Sequence, residues 1–103
     1  MHDSVLSMLS IAAKSGNVVS GEFSTEQAVK TGHAYLGIVS AEASGNTKKS
    51  FCNMTDFYHV PCYCYGSKEA LGRCIGKEFR ASLAVTDENL ARAVEKKLKE
   101  RTV

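Results

Sequence analysis

No stretch of this 103-residue sequence approaches the roughly 20 consecutive apolar residues that a membrane-crossing helix needs, so a membrane is not expected as a partner. The opening run MHDSVLSMLSIAAKSG has no basic cluster ahead of its apolar residues, carries Asp3, and is interrupted by Ser4, Ser7 and Ser10. It therefore reads as a helix retained on the protein rather than a secretory leader. Charge of one sign is scarce too: 13 Lys and Arg against 11 Asp and Glu leave a net +2. That excludes the broad phosphate-neutralising coat of a non-specific nucleic-acid binder, so any such contact must be local. The four cysteines, Cys52, Cys62, Cys64 and Cys74, lack the paired spacing of a zinc ribbon, and reduced thiols in a cytoplasmic protein are expected. Cys62 and Cys64 share a strand face with His59 near, yet small buried thiols in a sheet explain the same letters, so no metal is expected. His2, His33 and His59 have no nucleophile or orienting carboxylate at informative spacing. No glycine-rich nucleotide loop follows a strand, so neither a catalytic residue nor a cofactor is assigned. No linker, repeat or low-complexity segment divides the chain, which is read as one domain over residues 1–103.

What is present is a regular alternation. Val5, Met8, Leu9 and Ala12 recur at helical spacing, with Asp3 or Ser4 as N-cap and Gly16 as the stop. Val18 and Val19 form a short strand, and a second helix runs from about Glu22 or Ser24 to Thr31, closed by Gly32. Tyr35 to Val39, YLGIV, is apolar on both faces, as expected of a central strand covered by helices on each side. A third helix, capped by Ser44, Asn46 or Thr47, carries Phe51, Met54 and Tyr58 and stops before Pro61. PCYCY is a strand. SKEALGRCIG is a helix with Ser67 as cap, Leu71, Cys74 and Ile75 inward, and Gly76 as stop. SLAV (Ser82 to Val85) is the last strand, and Leu90, Ala91, Val94 and Leu98 stripe a final helix. Its KKLKER run is interleaved with Glu95 and Glu100 and reads as a solvated face. The pattern predicts a three-layer α/β/α sandwich on a mixed or parallel sheet. Binding in such folds concentrates at strand ends and the helix N-termini that follow them.

That rule points to VSGEFSTEQAVKTGHAYLGIVS, where a strand passes through Gly21 into the second helix. Two readings of its residues stand side by side. Ser24 and Gln27 have capping-box spacing with Phe23 as a hydrophobic staple against Ala28. Equally, Gln27 and Ser24 carry an amide and a hydroxyl free to hydrogen-bond a ligand, and the free amides of a helix start bind phosphate. Gly21 is required structurally if its φ is positive, and functionally if a ligand approaches its backbone closely.

Four segments in order, AAKSGNVVSGE (Ala12 to Glu22), AEASGNTKK (Ala41 to Lys49), YHVPCY (Tyr58 to Tyr63) and SKEALGRCIGKEFRASLAVTDENLA (Ser67 to Ala91), resemble the kink-turn-binding ribosomal-protein superfamily of L7Ae and L30e, most of all its small bacterial YlxQ-like branch. The resemblance covers about residues 4–95. It implies an α/β/α sandwich with a four-stranded mixed sheet, and RNA binding rather than catalysis or DNA binding. In that family a glycine ends the first strand, and a Gly-Thr-Asn-Glu-x-x-Lys constellation on the next helix faces tandem sheared G·A pairs. Here Gly21 keeps the glycine, while Glu22, Phe23, Ser24 and Gln27 stand at the Thr, Asn, Glu and Lys positions. Lys30 and Gly32 match the later helix. Glu22 would repel a phosphate or accept from a base amino group.

By the same resemblance the GKEFRAS loop (Gly76 to Ser82) places Phe79, Arg80 and Ala81 against bases extruded from the kink, with Lys77 as a phosphate contact. Aromatic rings and guanidinium planes suit that task on chemical grounds alone. The alternative is that Phe79 turns into the core and that Lys77 and Arg80 are merely solvated. Lys14 and Asn17, before the first strand, are expected near the same RNA. The implied partner is a structured RNA of kink-turn type, ribosomal or non-coding, together with ribosomal or translation-related proteins. A protein-interaction module on the same fold is the second function class. Convergence of Lys14, Lys30, Lys77 and Arg80 on one face favours RNA, whereas a broad exposed apolar patch favours a protein. A small enzyme is the third, and needs a pocket of strongly shifted titratable groups.

Overall fold

The Asp3 carboxylate accepts hydrogen bonds from the Val5 and Leu6 amides at 2.9 and 3.0 Å and so starts α1 (Ser4–Lys14). The computed structural model describes residues 3–101; His2 lies outside them. Beyond α1 the order is β1 (Val18–Ser20), α2 (Glu22–Lys30), β2 (Leu36–Val39), α3 (Gly45–Phe57), β3 (Cys62–Cys64), α4 (Lys68–Cys74), β4 (Ser82–Val85) and α5 (Glu88–Arg101). Ser44 caps α3 through Thr47 N–H, and Ser67 caps α4 through Ala70 N–H, so hydroxyls satisfy these helix starts as expected from their positions in the chain. Tyr58 departs from the predicted third-helix stripe. It is the C-cap, half-exposed, with its ring against Phe57 at 5.0 Å.

The four strands form one mixed sheet in the order β1-β4-β2-β3. β4 pairs antiparallel with both β1 and β2, and β3 joins β2 in parallel. The internal strands β2 and β4 are buried throughout, whereas β1 and β3 at the edges are half-buried. The uninterrupted apolar run of β2 is the sequence form of that two-sided burial. Strand alternation divides the core. Leu36, Ile38, Leu83 and Val85 pack with Val5, Leu9, Leu71, Val94 and Leu98 from α1, α4 and α5. Ala84 meets Ala28 and Val29 of α2, while Val39 meets Phe51 of α3. Helices therefore cover both faces, giving the α/β/α sandwich with a four-stranded mixed sheet.

One buried group stands out. Thr25 of α2 is fully buried and its hydroxyl has no hydrogen-bond partner among the described residues, so its desolvation is uncompensated. Thr25→Val replaces that hydroxyl with a methyl of similar shape. It is expected to raise stability by about 1 kcal/mol, read as a higher midpoint in urea unfolding with an unchanged slope.

Candidate nucleic-acid interface

Because β1, β2 and β3 all run against β4 or parallel to a strand that does, their C-terminal ends share one edge of the sheet with the start of β4. Three loop hydrogen bonds stitch that edge: Gly21 N–H to Ser82 O at 3.2 Å, Ser40 N–H to Ala81 O at 2.7 Å, and Ala41 N–H to Gly66 O at 2.9 Å. The starts of α2 and α3 and the end of the loop over residues 76–81 are therefore neighbours. Residues 60 positions apart in the chain meet there: the Arg80 guanidinium donates from Nε to Ser20 Oγ at 3.0 Å. A second N–H of Arg80 is held by Phe79 O at 2.8 Å.

Gly21 is the N-cap of α2, with φ 89° and ψ 158°, a backbone region essentially reserved for glycine. No side chain caps the helix, so the amides of Glu22, Phe23 and Ser24 have no intrahelical acceptor. This corrects the capping-box expectation. Gly21 turns the chain early, α2 begins at Glu22, and Ser24 stands inside the first turn rather than at its cap. The staple fails for the same reason: Phe23 is 75% exposed. Gln27 is exposed one turn beyond Phe23, so the ring and the amide lie along one solvent-facing strip.

The loop after α4 runs back along that helix. Gly72 O accepts from Lys77 N–H at 2.8 Å, and Lys68 O accepts from Arg80 N–H at 3.0 Å. The fit is close at Gly72, where an added Cβ would come 2.3 Å from Glu78 O and 2.9 Å from Phe79 N. Seated this way, the loop turns Phe79 outward, 62% exposed, which corrects the alternative that its ring enters the core. Ala81 is half-buried at the loop's end, and Lys77 is exposed about one helical turn back from Arg80.

The other assigned residues do not join this cluster. Lys30 ends α2, about 12 Å from its start, and is ion-paired with Glu26. That hydrogen bond and charge raise the Lys30 pKa. Glu22, Glu26 and Lys30 line one wall of a groove of about 580 Å³, facing Asn46, Phe51 and Met54 of α3, with Ala81 at its end. Lys14 closes α1, and Asn17 lies before β1; its carbonyl accepts from Thr86 N–H at 2.8 Å. Thr86 follows β4, so both residues sit at the opposite edge of the sheet, with Asn17 about 13 Å from Gly21 along β1. The four cations thus do not converge: Arg80 touches the Gly21 turn, Lys77 is near, and Lys14 and Lys30 are apart.

Two contributors escaped the sequence reading. Ser20 carries no signal beyond its place before Gly21. Gly72 does carry one: a glycine inside a helical pattern is unfavourable by itself and implies a close packing partner. Among the described residues no group of three or more His, Cys, Asp and Glu side chains is arranged to hold a metal ion.

A family model described as ribosomal protein L7Ae/L30e/S12e/Gadd45 matches residues 3–97. The chain is 37% identical over 84 residues to RNA-binding protein YlxQ of Bacillus subtilis (strain 168), covering 82% of this chain and 84% of the relative. It is 30% identical over 87 residues to RNA-binding protein YlxQ of Enterococcus faecium, covering 84% of each. A solved protein of unknown function from Bacillus halodurans is similar with a TM-score of 0.91 at 31% identity, over 95% of this chain and 99% of the other. The Giardia lamblia 15.5kD RNA binding protein shares the fold with a TM-score of 0.78 at 20% identity, over 94% and 83% of the two chains.

Proposed function

Since the chain belongs to the ribosomal protein L7Ae/L30e/S12e/Gadd45 family, in its YlxQ-like branch, we propose that it is a single-domain cytoplasmic RNA-binding protein, not an enzyme, that recognises a kink-turn or similarly bent RNA. The observation that carries this reading is the Arg80–Ser20 hydrogen bond. It joins the uncapped start of α2 to the loop bearing Phe79, so that two surfaces suited to different parts of a kink stand side by side. The free amides of Glu22, Phe23 and Ser24 donate to a phosphate oxygen, and Gln27 donates to guanine O6 or N7. Phe79, the Arg80 plane and Ala81 hold extruded bases, and Phe23 offers a second exposed ring for stacking. Such a protein stabilises a bend by binding the bent form preferentially.

The charge distribution gives this reading a quantitative signature. With Arg80 and Lys77 as the cations at the site, binding relies on stacking and shape more than on phosphate neutralisation. The logarithm of the association constant is expected to fall with the logarithm of salt at a slope of about −2 or shallower.

The test is a titration at fixed salt against a kink-turn RNA and against the same RNA with its G·A pairs changed to Watson–Crick pairs. Preference for the intact kink is expected, with Gln27→Ala and Arg80→Ala each weakening it about tenfold, while Lys14→Ala at the far edge leaves it unchanged. Equal, weak binding to both RNAs would sink the reading. The exposed Phe23 and Phe79 rings, set among so few cations, would then favour a protein partner on the same surface.

A further inference from the structure

On the other side of α3, away from the α2 start, two thiols meet. Cys52 Sγ of α3 and Cys62 Sγ of the edge strand β3 are 3.1 Å apart, about 1 Å longer than a disulfide bond. Both side chains are partly buried. Cys62 packs toward α3 beside Val39 and Phe51. Two residues along the strand, on the same face by alternation, Cys64 is exposed. It interacts electrostatically with Cys52. Cys74 stands apart, hydrogen-bonded to Leu71 O in α4. Packing alone accounts for a buried thiol, but not for two sulfurs in contact with a third, solvent-facing one beside them.

We propose that Cys52, Cys62 and Cys64 form a thiol–disulfide exchange site, in which a small-molecule disulfide enters at Cys64 and the oxidation comes to rest as a Cys52–Cys62 bridge. The Cys64 thiolate attacks one sulfur of the small disulfide RSSR; a Cys64–S–SR bond forms and RS⁻ leaves. The Cys52 thiolate then attacks the Cys64 sulfur and expels the second RS⁻. Finally the Cys62 thiolate attacks the Cys52 sulfur, forming the Cys52–Cys62 bond and releasing Cys64 as thiolate. Two protein thiols are oxidised, RSSR is reduced to two RSH, and the protons from Cys52 and Cys62 end on the departing thiols. The order follows from exposure: Cys64 is the solvent-facing thiol while Cys52 and Cys62 are partly buried against each other, and burial pushes the Cys62 thiol well up from its ordinary pKa. Burial also raises Cys64, so entry is slow at neutral pH and accelerates about tenfold per pH unit as the attacking thiolate becomes populated. The bridge would pin α3, whose Asn46 and Phe51 line the groove beside α2, to the edge of the sheet.

The experiment uses folded wild-type protein incubated with oxidised glutathione at several pH values, alkylated, and peptide-mapped without reduction. Expected are loss of two alkylatable thiols per chain, a peptide linkage between Cys52 and Cys62, and reversal by dithiothreitol. The bridged form should melt several degrees higher than the reduced form, because the cross-link constrains the unfolded chain. Cys64→Ser should slow the reaction at least tenfold. Cys62→Ser and Cys52→Ser should both prevent the final bridge, and Cys52→Ser should stop at a glutathione adduct on Cys64. Four thiols still alkylatable after incubation, bridges only between chains, or an unchanged rate in Cys64→Ser would overturn the proposal.

Discussion

Gly72→Ala is expected to destabilise the protein by about 3 kcal/mol and to abolish specific RNA binding with it. Two effects of opposite sign compete at this position. Alanine is the better residue in a helix interior, by about 1 kcal/mol. Its methyl, however, would lie 2.3 Å from Glu78 O and 2.6 Å from Glu78 C, so the loop backbone must retreat by about 1 Å to restore contact distance. That retreat breaks the hydrogen bonds from Lys77 and Arg80 to Gly72 and Lys68 and withdraws Phe79 and Arg80 from the proposed surface. The steric loss exceeds the propensity gain. Urea unfolding checks the stability, and amide exchange at Lys77 and Arg80 checks its cause. Increased stability with unchanged protection would mean that the loop does not rest on α4.

Gly21→Ala is expected to cost about 1–3 kcal/mol, for a different reason. Among the described residues nothing lies within 4 Å of a Cβ at Gly21, so the turn has room for a methyl. The penalty is purely that of holding an L-residue at φ 89°. D-alanine at position 21, introduced by chemical ligation, separates the two roles of this glycine. Its mirror-image preference accommodates the positive φ, so stability should return close to that of the wild type. RNA binding should remain impaired if the RNA backbone approaches the Gly21 turn, since the methyl would then occupy its space. Recovery of both properties would give Gly21 a conformational role alone; recovery of neither would place the strain elsewhere in the turn.

The uneven legibility of the site has a local cause. Ser67 is legible as a cap because it is the hydroxyl residue just before a helical pattern, and for α3 the sequence offers Ser44, Asn46 or Thr47, of which the structure selects Ser44. The same rule fails at Ser24. Gly21 adopts a conformation that the rule does not consider, and the helix starts before the serine is reached. Phe79 and Phe23 are ambiguous as letters because an aromatic ring in a turn can pack inward or stack outward with equal chemical ease. The seat of the loop on Gly72 resolves the first, and the early start of α2 resolves the second. Lys14 and Asn17 are close to Gly21 in the chain, but β1 carries the chain across the sheet between them.

The sequence by itself determined the elements, their order and the layered architecture, because hydrophobic period, capping hydroxyls and glycine or proline stops act within a few residues of one another. It also determined the family, through four segments recurring in one order, with the model matching residues 3–97. Only the tertiary structure decided which residues share a surface: Arg80 with Ser20 across 60 positions, Cys52 with Cys62 across α3 and β3, and Lys14 and Lys30 each away from the start of α2. Those outcomes depend on strand order and register. Pairing β4 between β1 and β2 is a global choice, made by burying two apolar strands on both faces, and no local pattern encodes which loops it brings to the same edge.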